Sequence, residues 1–214
     1  GPLAPRAPPR YPCRMFPISD ENPTLRTPVV TYALLATLLV VWLVVQAGGG
    51  ILPGGPYRLV ASVCNYGMVP AELLRTRPVG FAVPIAPNLS CVIDDYWYNA
   101  LTPLTSMFLH GSWGHLLGNS LFLWVFGNNV EDSMGRGRFL AFYLICGLVA
   151  AATHVLVEPS SPIPTVGASG AISGILGGYL LLYPKVRVRT YFPPIFLFWV
   201  PAWLVLIFWF GGQA

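Results

Sequence analysis

Five long apolar runs dominate the sequence and limit what the chain can fold into. They cover residues 29–46, 115–130, 138–157, 167–183 and 192–210. A helix needs about 20 apolar residues to cross the hydrocarbon core of a bilayer, and these runs approach or reach that length. Of the 214 residues, 55% are hydrophobic and 9% are charged, so the chain has too few charges to cover a water-soluble globule. The sequence therefore predicts an all-α, polytopic membrane helix bundle with five transmembrane helices.

The basic residues predict the orientation of this bundle. They precede the first run or lie between the second and third and between the fourth and fifth: Arg6, Arg10, Arg14, Arg26, Arg136, Arg138, Lys185, Arg187 and Arg189. The connection between the third and fourth runs contains neither Lys nor Arg. Because short cytoplasmic loops carry an excess of Lys and Arg, the N-terminus is predicted to be cytoplasmic. Topology accounts for the net charge of +4, and no footprint of nucleic-acid binding is apparent.

The segments outside the apolar runs suggest how the chain is divided. Residues 1–28 are rich in Pro and Arg and are predicted to form a disordered cytoplasmic leader, while residues 29–214 form one membrane domain. The first external connection, residues 47–104, is long and contains several prolines and the aromatic cluster Tyr96-Trp97-Tyr98. Because aromatic rings prefer the membrane interface, we expect part of this connection to lie on or in the outer leaflet.

Two cysteines, Cys64 and Cys91, fall in this external connection. The outer compartment permits disulfides, and a bond between them would restrain the connection by about 3 kcal/mol in the chain-entropy model. The sequence leaves open whether they pair.

A serine between small residues opens the fourth apolar run. Ser169 is closely flanked by Gly167 and Gly170. A hydroxyl in such a setting at a helix N-terminus leaves room for a substrate backbone, and nearby N–H groups can stabilise developing negative charge. This pattern is typical of a nucleophile. Gly170, Gly174 and Gly178 also recur every four residues, and such a smooth stripe, taken alone, favours close helix packing over a nucleophile.

A second polar cluster is predicted at the same depth as Ser169. His115 and Asn119 are four residues apart and therefore share one face of a helix. Polar side chains inside a membrane are costly and usually face a cavity or a partner, so this pair indicates a site. His154, near the outer end of the third run, lies at a similar depth. A metal site is disfavoured, because no two of the three histidines have the i, i+4 spacing of a helical zinc site.

Two motifs carry a resemblance to a known family. The string Phe108-Leu109-His110-Gly111-Ser112-Trp113-Gly114-His115-Leu116-Leu117-Gly118-Asn119, followed by Gly167-Ala168-Ser169-Gly170, resembles the rhomboid intramembrane serine proteases. The likeness runs from about residue 105 to residue 184. It implies a six-helix bundle whose water-filled cavity holds a Ser-His dyad that cleaves the transmembrane segments of other proteins in the bilayer.

The resemblance also implies roles for individual residues. Ser169 would be the nucleophile, and His115, Asn119 and the Ser169 backbone N–H would form the oxyanion hole. No cofactor is implied. Localisation in a bacterial plasma membrane is expected.

The sequence departs from the family pattern at its end. Rhomboids place the dyad histidine on a sixth transmembrane helix, whereas this chain ends at Ala214. We expect the sequence to be a fragment whose dyad histidine lies outside it, because the chain opens with Gly1 and a bacterial-type start follows at Met15. The alternatives are an inactive rhomboid-like protein that binds transmembrane segments, His154 acting as a substitute base, and a small transporter whose polar cluster lines a pathway.

Overall fold

The computed structural model describes residues 16–192 and 196–211, most of which are helical. The α-helices are α1 (Val29–Val40), α2 (Ala47–Gly50), α3 (Gly55–Tyr66), α4 (Pro70–Leu73), α5 (Thr102–Thr105), α6 (Trp113–Phe122), α7 (Asn128–Met134), α8 (Arg136–Val157), α9 (Ser169–Leu182) and α10 (Ala202–Gly211). The β-strands are β1 (Phe16–Asp20), β2 (Ala82–Ala86), β3 (Leu89–Val92), β4 (Arg187–Phe192) and β5 (Phe196–Pro201). Two π-helical segments, Val41–Val45 and Leu123–Gly127, and two 3₁₀ segments, Trp97–Leu101 and Ser106–Phe108, complete the helical part.

The first four apolar runs form helices where the sequence predicts them. The π-helical segment Val41–Val45 extends α1. The segment Leu123–Gly127 joins α6 to α7, so that these three elements form one continuous rod. Within residues 16–192 and 196–211, only α8 is both long and apolar enough to cross a membrane, with 22 residues and a mean hydropathy of 2.2. Shorter apolar helices cover Val29–Val45, Ser169–Leu182 and Ala202–Gly211. The described residues thus contain one clear spanning helix, against the five that the sequence predicts.

The fifth apolar run does not form a single helix. Residues 193–195 lie outside the described residues, and the run continues as strand β5, which pairs antiparallel with β4. Helix α10 begins only at Ala202. The break falls at Pro201, which has no N–H for a helix interior and restricts the residue before it to extended conformations. Aromatic residues before it favour a strand.

The leader is ordered where the structure describes it. Residues 1–15 lie outside the described residues, but Phe16–Asp20 forms β1, the first strand of a sheet with the order β1-β4-β5. The prediction of disorder does not hold for this strand. Asp20 fixes its end, since Asp20 Oδ2 accepts hydrogen bonds from Tyr179 Oη at 2.6 Å and from Asn129 Nδ2 at 2.7 Å. The composition of this segment does not favour an ordered structure. Contacts with residues more than 100 positions away in the sequence hold it in place.

The start of α1 is capped by a side chain from α7. The buried carboxylate of Glu131 accepts hydrogen bonds from Val30 N at 2.9 Å, Thr31 N at 2.7 Å and Thr31 Oγ1 at 2.8 Å. The first N–H groups of a helix have no acceptor within the helix itself, so an acceptor from elsewhere must satisfy them when they are buried. Glu131 therefore ties the N-terminus of α1 to the far end of the rod that contains α6.

The glycine stripe of α9 faces α8. A Cβ added at Gly170 would lie 2.5 Å from Ala150 Cβ, and one added at Gly174 would lie 2.3 Å from Cys146 Sγ. Both distances are far below van der Waals contact, so the two helices approach more closely than side chains there would permit. This contact fixes the position of α9, and with it the position of Ser169 at its start.

The external connection forms a unit of its own. A disulfide joins Cys64 of α3 to Cys91 of β3, with the two Cα atoms 5.2 Å apart. The unit has a separate apolar core of three buried side chains, Val69, Ala71 and Ile93. The bond answers the question that the sequence leaves open.

Glu131→Ala is expected to lower the free energy of unfolding by about 3 kcal/mol, because it leaves two backbone donors and one hydroxyl buried without an acceptor. Thr31→Val removes only the hydroxyl bond and is expected to cost about 1 kcal/mol. Unfolding by SDS in mixed micelles, followed by circular dichroism, measures both. Equal losses in the two variants would show that the carboxylate does not act as the cap.

Gly174→Ala is expected to destabilise the protein by about 1–3 kcal/mol, because the new methyl group overlaps Cys146 and forces α8 and α9 apart. Gly177, in the same helix, has no atom within 4 Å of an added Cβ. Gly177→Ala is therefore the matched control and should be neutral or slightly stabilising. The same SDS titration compares them, and indistinguishable variants would contradict the packing described above.

Candidate active site

Ser169 is the first residue of α9, and the backbone before it has an unusual conformation. Gly167 has a φ of +125°, a region that L side chains rarely adopt. Its N–H donates to the carbonyl oxygen of Ser106 at 2.9 Å, and the first helical bond follows from Ile172 N to Ala168 O at 2.9 Å. The turn at Gly167 thus aims the chain into the helix and leaves the half-buried side chain of Ser169 at its N-terminus.

His115 and Asn119 of α6 lie beside this turn. A Cβ added at Gly167 would be 2.6 Å from His115 Nε2 and 3.6 Å from Asn119 Nδ2. The absence of a side chain at Gly167 is what lets the His115 ring lie so close to the segment that precedes Ser169, whereas Asn119 would be in ordinary van der Waals contact with an added Cβ. Asn119 Nδ2 is buried and has no hydrogen-bond acceptor among the described residues. A buried donor without an acceptor is costly, and it is available to an oxygen atom of a ligand.

The N-terminus of α6 is capped so that His115 is held in place. Ser112 is the N-cap residue, and its Oγ accepts from His115 N at 3.1 Å. Trp113 Nε1 donates to the carbonyl oxygen of Gly48 at 3.0 Å, and the Trp113 ring meets the Trp42 ring edge-on. These contacts fix the first turn of α6 from two sides. A serine just before a helix, whose hydroxyl accepts from the N–H three residues later, is a helix-start pattern that can be read from the sequence.

His110 packs against His115, which sequence reasoning missed. His110 lies in the loop before α6, and the structure brings the centres of the two rings to 5.1 Å. His110 is completely buried, and burial lowers its pKa to about 4, so the ring is neutral at pH 7. Its backbone exchanges two hydrogen bonds with the side-chain amide of Gln46, at 2.7 and 2.9 Å. The neutral ring of His110 is therefore fixed in position and packs against the ring of His115.

A cavity of about 330 Å³ lies next to Ser169, between α8 and the segment that leads into α9. Its polar lining includes the side chains of Ser106, His154, Thr165 and Ser169. His154 thus borders the same cavity as Ser169. Its Nε2 lies 3.0 Å from Thr165 Oγ1, and no hydrogen bond joins His154 to Ser169 within the part of the chain that the structure describes.

The polar groups of the site gather around one turn of backbone. The hydroxyl of Ser169 at the N-terminus of α9, the ring of His115 and the buried amide donor of Asn119 lie around the turn at Gly167. In residues 16–192 and 196–211, no group of three or more His, Cys, Asp or Glu side chains is placed to hold a metal ion.

Comparison with known proteins gives a consistent set of relatives. A family model described as "Rhomboid domain" matches residues 96–213. "Rhomboid protease GluP" of Bacillus subtilis (strain 168) is 40% identical over 107 residues, which are 50% of this chain and 20% of that protein. "Putative rhomboid protease YdcA" of the same organism is 35% identical over 91 residues, 42% of this chain and 44% of that protein. "Rhomboid protein 1, mitochondrial" of Saccharomyces cerevisiae is 28% identical over 119 residues, 53% of this chain and 33% of that protein. The chain spans less than half the length of each of these relatives.

Gly167→Ala is expected to displace the His115 ring, because the added methyl group would overlap Nε2 and because φ near +125° strains a residue with a side chain by about 1–3 kcal/mol. The displaced imidazole should react faster with diethyl pyrocarbonate, which peptide mass spectrometry quantifies at His115. Gly111, in the loop before α6, has open space around an added Cβ, so Gly111→Ala is the control. Unchanged reactivity of His115 in Gly167→Ala would contradict the described contact.

Proposed function

The chain belongs to the rhomboid family, and from that premise we propose that it is the catalytic part of an intramembrane serine endopeptidase that cleaves transmembrane segments of other membrane proteins. The family is integral to membranes and acts by intramembrane proteolysis. The proposal is that residues 29–214 supply five of the six helices of such a protease, in a bacterial plasma membrane, with the N-terminus in the cytoplasm.

One observation carries the proposal most directly: the buried, unpaired Nδ2 of Asn119 lies beside Gly167, two residues before Ser169. A buried amide without an acceptor is destabilising by itself. The amide gains its missing hydrogen bond if an oxygen atom of a substrate accepts from it. In the proposed reaction this oxygen is the oxyanion of a tetrahedral intermediate.

In the proposed mechanism Ser169 Oγ attacks the carbonyl carbon of a substrate peptide bond. The carbonyl oxygen becomes an oxyanion and accepts hydrogen bonds from His115, Asn119 and the backbone N–H of Ser169. The proposal assigns the Ser169 proton to a dyad histidine outside residues 1–214, which passes it to the departing amine. Water then hydrolyses the acyl-enzyme, and no step needs a cofactor.

Closed packing around the site supports this assignment. Gly170 and Gly174 hold α9 against α8, and Gly167 holds α9 against α6. Gly178 continues the stripe, and a Cβ added there would lie 3.4 Å from the Phe142 ring. Electrostatic stabilisation requires donors that are fixed before the reaction begins. A nucleophile at the start of a helix locked on two sides meets this requirement.

A second candidate function is an inactive relative that binds transmembrane segments without cutting them. It is favoured by the environment of His154, which bonds to Thr165 and not to Ser169 within the described residues. A serine without a base would leave a cavity that still accepts a peptide backbone.

A fluorophosphonate probe, which reacts with activated serine hydroxyls, distinguishes the two functions. In the natural full-length protein, labelling is expected at Ser169 and should disappear in Ser169→Ala. Ser173, four residues further along α9, accepts a hydrogen bond from Trp209 Nε1 at 3.1 Å, and Ser173→Ala is the control that should retain labelling. Absence of labelling in the folded full-length protein would favour the binding function, and labelling that survives Ser169→Ala would refute the nucleophile assignment.

Asn119→Ala is expected to lower the rate of cleavage of a transmembrane substrate about 100- to 1,000-fold, because one oxyanion donor is lost. The effect should appear in kcat with little change in KM, since the donor acts on charge that develops in the transition state. Gel-based cleavage in proteoliposomes measures both constants. A loss confined to KM would remove Asn119 from the oxyanion hole.

A further inference from the structure

Hydrogen bonds join the external unit to the backbone segment that leads into Ser169. Met68 and Thr165 form an antiparallel bridge, with Met68 N to Thr165 O at 3.0 Å and Thr165 N to Met68 O at 2.8 Å. Ala71 N donates to Ser161 O at 3.0 Å, and Thr76 Oγ1 donates to the carbonyl of Pro159 at 3.0 Å. Thr165 is four residues before Ser169, so the external unit holds the approach to the nucleophile in place.

The unit that makes these bonds is weakly built. Its apolar core contains three buried side chains, separate from the main core. A core of that size supplies little stability by itself, and small units of this kind depend on disulfides. The bond from Cys64 to Cys91 closes a loop of 27 residues in which Met68, Ala71 and Thr76 all lie.

The two sulfur atoms differ in accessibility. Cys91 is only 5% exposed, whereas Cys64 is half-buried and borders a cavity of about 380 Å³. That volume is large enough for a small thiol. Asp94 also lines the cavity, so a cationic thiol should enter it more readily than an anionic one.

We propose that the Cys64–Cys91 disulfide is a thiol-exchange site, entered at Cys64, whose oxidised form clamps the Thr165–Gly167 segment and so holds Ser169 in its reactive position. A small thiol is the partner. Its thiolate attacks Cys64 Sγ, a mixed disulfide forms, and Cys91 leaves as a thiolate. A second thiol then attacks the mixed disulfide, releasing the Cys64 thiol and the oxidised partner as its own disulfide. Two thiols are thereby oxidised while one protein disulfide is reduced.

The effect on Ser169 rests on the proposed function, but the clamp itself does not. It is measured by hydrogen–deuterium exchange of peptides covering Met68 and Thr165, before and after reduction with cysteamine. A background of Cys13→Ser and Cys146→Ala removes the other two thiols. At pH 8 the thiol is reactive, and the working pH lies above the pKa of Glu72, which burial raises to about 7.

Reduction is expected to speed exchange at Met68 and Thr165 about tenfold or more, while exchange in α8 stays unchanged. Cys64→Ser with Cys91→Ser should show the fast exchange without any thiol and should not respond to cysteamine. Unchanged exchange after verified reduction overturns the clamp. Faster exchange throughout α8 as well overturns it too, because the disulfide would then support the whole fold.

The entry at Cys64 has its own readout. Cysteamine, a cation, should reduce the disulfide on the order of threefold faster than 2-mercaptoethanesulfonate, an anion, relative to their rates with a model disulfide. Asp94→Asn keeps the Oδ1 acceptor for Asn99 Nδ2 and should remove this preference. A preference that persists in Asp94→Asn overturns the entry route.

Fluorophosphonate labelling of Ser169 in the full-length protein separates the clamp from the proposed function. Labelling several-fold slower after reduction supports the coupling. Local exchange that rises with equal labelling in both states overturns the coupling. Local exchange that rises with no labelling in either state leaves the clamp standing and refutes the proposed protease.

Discussion

The position of the site depends on close approaches of backbone at residues without side chains. Gly170 and Gly174 let α9 lie against α8, and Gly167 lets the entry to α9 lie against His115. Between apolar helices in a bilayer there is little hydrophobic driving force, so packing at such surfaces and a few hydrogen bonds must decide the arrangement. A methyl group at any of these three positions would overlap a neighbouring atom. The site is therefore formed by what the glycines omit as much as by what the polar residues contribute.

Several buried or half-buried polar side chains each satisfy more than one group. Glu131 caps α1 through three bonds, Gln46 makes two with the backbone of His110, and Asp20 accepts from two helices. Unpaired polar groups are costly in an apolar environment, so a partner shared among several donors is an economical way to fix helix ends. Asn119 Nδ2 is one of five buried polar atoms without a partner among the described residues, with Trp42 Nε1, both ring nitrogens of His110 and Tyr143 Oη, and of these it lies beside the turn that leads into Ser169.

The sequence predicts what depends on local pattern. Four apolar runs become helices, and the i, i+4 spacing of His115 and Asn119 does put them on one face of α6. The fifth run fails because apolar composition does not distinguish a helix from a strand, and Pro201 decides the outcome together with pairing to β4. β1 is missed because its partner lies more than 160 residues away. The contact of His110 with His115 depends on a loop conformation, and loop conformations have no periodic signal.

The π-helical segment Leu123–Gly127 lies between α6 and α7 in one continuous rod. His115 and Asn119 lie before it, and Glu131 lies after it. A π-turn accommodates one more residue than an α-turn, so it rotates everything beyond it by about 100° relative to an uninterrupted α-helix. The angle around the helix axis between His115 and Asn119 on one side and the Glu131 carboxylate on the other is therefore set by one additional residue. A helical wheel drawn from the residues of α6 would therefore assign the residues of α7 to the wrong face. In this rod the number of residues between two positions, and not only their identity, determines which residues share a face.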